Sequence, residues 1–145
     1  MQNAPSAADQ ARVFERMRSI PIYDTLGFRD VAFHDGVASA VVPRRPEYDG
    51  ILHTFHGGLL MTVADSVAGL AALMALGPDV RIATSHMSIT LLRPATGDVR
   101  AEARLLRRGR RVVPCVVDLF DGDRHVAFAE VTYAVLDPEG SATGS

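Results

Sequence analysis

Lysine is absent from this chain: all fifteen basic residues among its 145 are arginine. We read that as host composition, with the planar guanidinium also suited to phosphate contacts. Cysteine is nearly absent. Cys115 is alone, so no intrachain disulfide can form, and a reducing, cytoplasmic location is expected. It falls in the strand-like run V-V-P-C-V-V-D-L-F, where a small core residue is expected rather than a nucleophile. Excess charge is lacking too. A formal net charge of −2 argues against a nucleic-acid binder as a whole. The first residues, M-Q-N-A-P-S-A-A-D-Q, have no basic-then-apolar leader pattern. No internal repeat or linker divides the chain, so one domain over 1–145 is expected, with its core at about 20–137 and frayed ends at 1–8 and 138–145.

What is present is one long apolar run, G-G-L-L-M-T-V-A-D-S-V-A-G-L-A-A-L-M-A-L at 57–76. Its length would suit a membrane span. It is rich in glycine and alanine, contains Asp65, and lacks aromatic belts and flanking basic residues, so a buried helix at 58–76 is expected instead, ended by Gly77-Pro78. Before it, Asp9 is placed to cap a short helix over 10–19 that Pro21 ends. Residues 28–34 and 36–43 read as a hairpin about His34-Asp35-Gly36, and 44–55 as loop. After it come strands at 80–92, 98–107, 111–120 and 125–136. Val99, Ala101, Ala103 and Leu105 alternate with Arg100, Glu102 and Arg104, as in a half-exposed strand. The expected architecture is α+β: one long central helix wrapped by a curved antiparallel sheet, its last strands a meander. A helix apolar nearly all round must be covered nearly all round, here by the sheet and a partner subunit.

Asp65 is the one carboxylate in that run, and an ionised acid there needs compensation. Chemistry supplies a reason for it. His56-Gly57-Gly58 lies where loop becomes helix. The first helical N–H groups have no internal acceptor, the helix dipole adds positive potential, and glycines allow close approach, which together suit a developing oxyanion. A tight turn against the sheet explains the glycines equally well, and a hydrogen bond to Ser66, Thr62 or a strand would also accommodate Asp65. Eight residues at ~1.5 Å each put Gly57 and Asp65 about 12 Å apart on one helix. A base and an oxyanion donor must both come within roughly 3 Å of one carbonyl, so the spacing implies two antiparallel helices in a two-fold dimer.

The segment H-T-F-H-G-G-L-L-M-T-V-A-D-S-V-A-G-L-A, residues 53–71, resembles the hotdog-fold acyl-CoA thioesterases of the phenylacetate-pathway (PaaI-like) type. Residues 84–103 and 109–136 resemble the strands that follow in that family, so the likeness runs from about 20 to 137. It implies a hotdog fold, homodimers often paired into tetramers, and hydrolysis of acyl-CoA without metal or organic cofactor, coenzyme A being part of the substrate. It implies Gly57 as the oxyanion-hole donor, Asp65 as the catalytic carboxylate, His56 as the brace of the loop, and Thr84 as the hydroxyl that orients water. The family commonly has an asparagine where this chain has Gly50, and His53 is a candidate stand-in.

Substrate contacts are expected from Gly50, His53, Gly58, Leu60 and Met61, and from Arg93, Arg108 and Arg110 toward the phosphates of coenzyme A. His53 and His56 lack a third ligand at metal-site spacing, so no metal is expected; neither nucleic acid nor membrane is expected as a partner. The competing readings are a non-catalytic acyl-CoA-binding or regulatory module and a hydratase or dehydratase of the same fold.

Overall fold

The computed structural model describes residues 4–138. In chain order these form helices α1 (Ala7–Arg18) and α2 (Pro21–Leu26), strands β1 (Arg29–His34) and β2 (Val37–Val42), the long helix α3 (Gly57–Leu76), and strands β3 (Arg81–Leu91), β4 (Val99–Leu105), β5 (Val112–Asp121) and β6 (Arg124–Leu136). All neighbouring strands are antiparallel, in the order β1-β2-β4-β5-β6-β3. This is the hotdog architecture: α3 lies on the sheet and packs against β2, β4 and β5.

Small side chains let the layers approach closely. Ala64, Ala68, Ala71 and Ala72 of α3 are buried, as are Ala38 and Ala40 of β2 and Ala101 and Ala103 of β4. Burial through β4 alternates as its sequence does. By length and composition α3 could cross a membrane, with a mean hydropathy of 1.9, yet most of that window is buried inside the protein. Part of the cover expected from a partner subunit comes from the same chain. Helix α1 lies on α3 and buries Val13 and Met17. Arg16 pins it by donating to the carbonyls of Pro78 (2.8 Å) and Val80 (2.7 Å). Cys115 is buried in β5, and burial pushes its thiol up to about 12. It is a core residue, as its strand context requires.

Four expectations need correction. The last four strands are not a simple meander, because β3 pairs with β6 at the far edge of the sheet. The segment 92–98 therefore crosses the ends of β6 and β5. Seven residues reach about 23 Å, ample for three inter-strand steps of ~4.8 Å. Helix α1 starts at Ala7, so residues 7 and 8 are not frayed; residues 1–3 and 139–145 lie outside the described residues. The cap of α1 is Ser6, whose hydroxyl accepts the Asp9 N–H at 3.1 Å; Asp9 is a first-turn acid. Pro21 opens α2, where its fixed φ and missing N–H suit a first helical position.

Asp121 fastens the 92–98 crossing. Its carboxylate accepts the N–H groups of Thr96 (2.9 Å) and Gly97 (3.0 Å), and a Cβ at Gly97 would meet it at 2.6 Å. The Thr96 hydrogen bond, followed by that from Gly97 and the charge of Arg124, outweighs partial burial and lowers its pKa below 3.8. Asp121→Ala should cost about 1.5–3 kcal/mol in chemical denaturation at neutral pH. A depressed native pKa stabilises fully above the unfolded value and loses that stabilisation as pH falls through the native one. The gap between parent and variant should therefore close only in acid below about pH 4.

Candidate active site

His56 caps α3. Its backbone N–H donates to the Tyr48 carbonyl at 2.8 Å, and its Nδ1 accepts the Gly58 N–H at 3.0 Å, so Nδ1 is unprotonated. The loop before it is held at several points. The Phe55 N–H donates to the Ala95 carbonyl (2.9 Å), and the Gly50 N–H to the Thr54 carbonyl (2.8 Å). The Arg44 guanidinium donates to the carbonyls of Thr96 (3.2 Å) and His53 (3.1 Å) and pairs with Asp49. With Gly58 engaged by His56, the Gly57 N–H is left without an acceptor among the described residues. It opens on a cavity of about 570 Å³ that Gly50, His56, Gly57, Leu60, Leu91 and Arg93 help to line. A Cβ at Gly57 would lie 2.8 Å from Leu91 Cδ1, the far end of a flexible side chain.

Two turns along α3, Asp65 is half-buried beside a separate cavity of about 240 Å³. Its Oδ1 is held twice, by the Thr84 hydroxyl at 2.8 Å and the Tyr133 hydroxyl at 2.9 Å. These two residues face each other across β3 and β6, and a bulge at Ser85 follows at once. The Tyr133 hydroxyl also contacts the Asp65 carbonyl. Burial first, then the neighbouring Asp65 carboxylate, raises the pKa of both Tyr133 and Tyr23, so both stay protonated as donors. The Tyr23 hydroxyl donates to the Ser66 carbonyl at 3.1 Å. Oδ2 of Asp65 has no partner among the described residues. Apolar side chains from Met17, Ile22, Leu73 and Ile82 line the cavity, and Gly69, one turn past Asp65, keeps it open: a Cβ there would come within 3.3 Å of the Tyr133 hydroxyl.

The two halves of the constellation thus sit in two cavities of one chain, one around Gly57 and one around Asp65. A match to the model of the thioesterase superfamily covers residues 52–128, which includes both. A candidate esterase from Thermoplasma volcanium is 30% identical over 100 residues, 68% of this chain and 74% of the relative. This chain belongs to the thioesterase superfamily. Among solved structures, a conserved protein of Pseudomonas aeruginosa is 32% identical with a TM-score of 0.78, covering 84% of this chain and 98% of that one. A candidate thioesterase of Ralstonia eutropha, described as phenylacetic acid degradation-related, is 27% identical with a TM-score of 0.76, covering 86% and 99%. The enzyme class is therefore thioester hydrolysis.

Within one chain of this thioesterase, only some of the residues expected to contact substrate line these two cavities. Gly50, Leu60 and Arg93 line the Gly57 cavity, although Arg93 already donates to the His125 carbonyl at 3.0 Å. His53 is exposed at φ +55° and lines neither cavity of its own chain. Met61 lines neither cavity, and the Gly58 N–H is already taken. Arg108 and Arg110 lie in the β4–β5 loop, at the opposite end of the sheet from Gly57. Strand β4 starts beside the Gly57 end, where Val99 pairs with Asp121, and finishes at Leu105 beside Met74. Tyr133, Tyr23 and Gly69 were missed. The inward alternation of Val131 and Tyr133 in β6 is a usable signal that the ring enters the core.

Proposed function

We propose that this thioesterase hydrolyses medium-chain or aryl, phenylacetyl-like acyl-CoA to the free acid and coenzyme A, in sites shared by two protomers. The observation that carries the proposal is the separation of two groups without a partner among the described residues, the Gly57 N–H and Asp65 Oδ2, by about 12 Å along one helix. Two antiparallel copies of α3 would bring Gly57 of one protomer to Asp65 of the other, twice over. The outer edge of β3 suits that pairing. It is eleven residues long and largely exposed, the sort of edge that soluble proteins rarely leave bare. A homodimer is the assembly this pairing requires; its pairing into a dimer of dimers rests on the family resemblance.

In such a site the thioester oxygen accepts from the Gly57 N–H, with the helix dipole behind it. Thr84 and Tyr133 fix Oδ1 of Asp65, which leaves Oδ2 as the reacting oxygen. Either Oδ2 takes the proton of an attacking water, or it attacks the carbonyl to give an anhydride that water then opens. On both routes the carbon–sulfur bond breaks, the thiolate of coenzyme A takes up a proton, and one water is consumed. The steps call for no metal or organic cofactor. The apolar cavity beside Asp65 suits the acyl or aryl group, and Arg93 at the Gly57 cavity suits a phosphate.

A thiol-release assay over straight-chain and aryl acyl-CoAs tests the substrate class. Turnover should peak with medium-chain or phenylacetyl groups, and thiol release from none of them would overturn the proposal. The roles of Thr84 and Tyr133 are tested separately. Both donors position the carboxylate, so Tyr133→Phe should lower kcat roughly ten-fold and leave KM little changed. Thr84→Ala should slow turnover roughly ten-fold, much less than loss of Asp65 itself. A Tyr133→Phe enzyme with the parental kcat would show that the hydroxyl only fills space.

A further inference from the structure

A third cavity, of about 490 Å³, lies on the other flank of α3. It opens between the β1–β2 turn, the end of β4 and the C-terminal half of α3. It shares no lining residue with the cavities at Gly57 and Asp65. Its wall is apolar, built by Phe33, Val37, Ala71, Met74 and Leu105, and it has the volume of a small-molecule site. Two cations line it, Arg104 and Arg108, both exposed. Neither guanidinium makes a hydrogen bond or ion pair among the described residues. Asp35 lines the same cavity and pairs with neither. Arg107, Arg110 and Arg111 in the adjoining loop are likewise without an acidic partner there.

An apolar chamber with uncompensated cations beside it is complementary to a molecule with a single chain and an anionic head. We propose that this cavity binds a fatty-acid carboxylate, its chain along Phe33, Val37 and Met74 and its head on Arg104 and Arg108. The guanidinium forks suit a carboxylate, and the volume accommodates a medium-length chain. Such acids are what hydrolysis of an acyl thioester releases, so the site would let the enzyme register its product at a distance from the reacting carbonyl.

Isothermal titration of the full chain with dodecanoate, kept below its micellar concentration, tests this against Ala75→Leu and Arg104→Gln. Ala75 lines the cavity from a partly exposed helical position, so leucine fills the chamber, whereas glutamine removes charge at an exposed site. Each variant should weaken dodecanoate binding roughly ten-fold. Thioester hydrolysis without added acid should be unchanged in both. Dodecanol, with the same chain and no charge, should bind the parent more weakly and should not distinguish it from Arg104→Gln. Equal dodecanoate affinity in all three proteins would place the acid elsewhere and overturn the proposal. So would variants that raise the KM for acyl-CoA while leaving dodecanoate binding intact, because the cavity would then serve the thioester. If Ala75→Leu melts early, Arg104→Gln carries the same decision alone.

Discussion

Asp65→Asn should fold and assemble like the parent and lose about 100- to 10,000-fold in turnover, the usual worth of a positioned base. Asparagine has the same shape, and its carbonyl oxygen can still accept from Thr84 and Tyr133, which hold Oδ1 at 2.8 and 2.9 Å. What vanishes is the unpartnered oxygen able to take a proton or to attack. The loss should fall on kcat, with KM little changed, because the acyl cavity keeps its walls. Matching melting temperatures for parent and variant would tie the loss to chemistry. A variant that turns over acyl-CoA at the parent rate would assign the base elsewhere.

Gly57→Pro should lose about 100- to 1,000-fold, the range for removing one oxyanion donor. Most substitutions at Gly57 would add a side chain and keep the N–H. Proline deletes the N–H itself, at the first position of α3, where that group has no helical acceptor and a fixed φ is tolerated. His56, at ψ 130°, already has the extended backbone that a following proline requires. Gly57→Ala is the control. It adds a Cβ at the same place, 2.8 Å from the flexible end of Leu91, and retains the donor. Proline should therefore be far worse than alanine in kcat, with both proteins equally folded. Equal losses would mean that crowding against Leu91, and not the N–H, explains the effect.

Much of this architecture is legible in the sequence because single residues punctuate it. Gly77-Pro78 ends α3 where the apolar run ends, and the alternation of Val99 to Leu105 gives both the strand and its buried face. His56-Gly57-Gly58 marks the helix start, although not that His56 Nδ1 occupies the second amide. The place of β3 is less legible, since a seven-residue connection reaches either a neighbouring or a distant strand. Tyr133 stands 68 residues from Asp65, and only the β3–β6 register brings it opposite Thr84. The place of Arg108 and Arg110 within the chain has a simpler origin. With β3 returning along α3 and β4 running back again, the loop after β4 must fall at the C-terminal end of α3, about 30 Å from Gly57. Arginine type suggests phosphate, and strand direction sets which end of its own chain this loop occupies.

Mixing two disabled proteins tests the shared site most directly. Gly57→Pro and Asp65→Asn chains, unfolded together and refolded as an equimolar mixture, should regain about one quarter of parental activity. Half of the dimers are then mixed, and each mixed dimer carries one site with both groups intact. A mixture no more active than either variant alone, or a parent that sediments as a monomer while active, would contradict a catalyst assembled from two protomers.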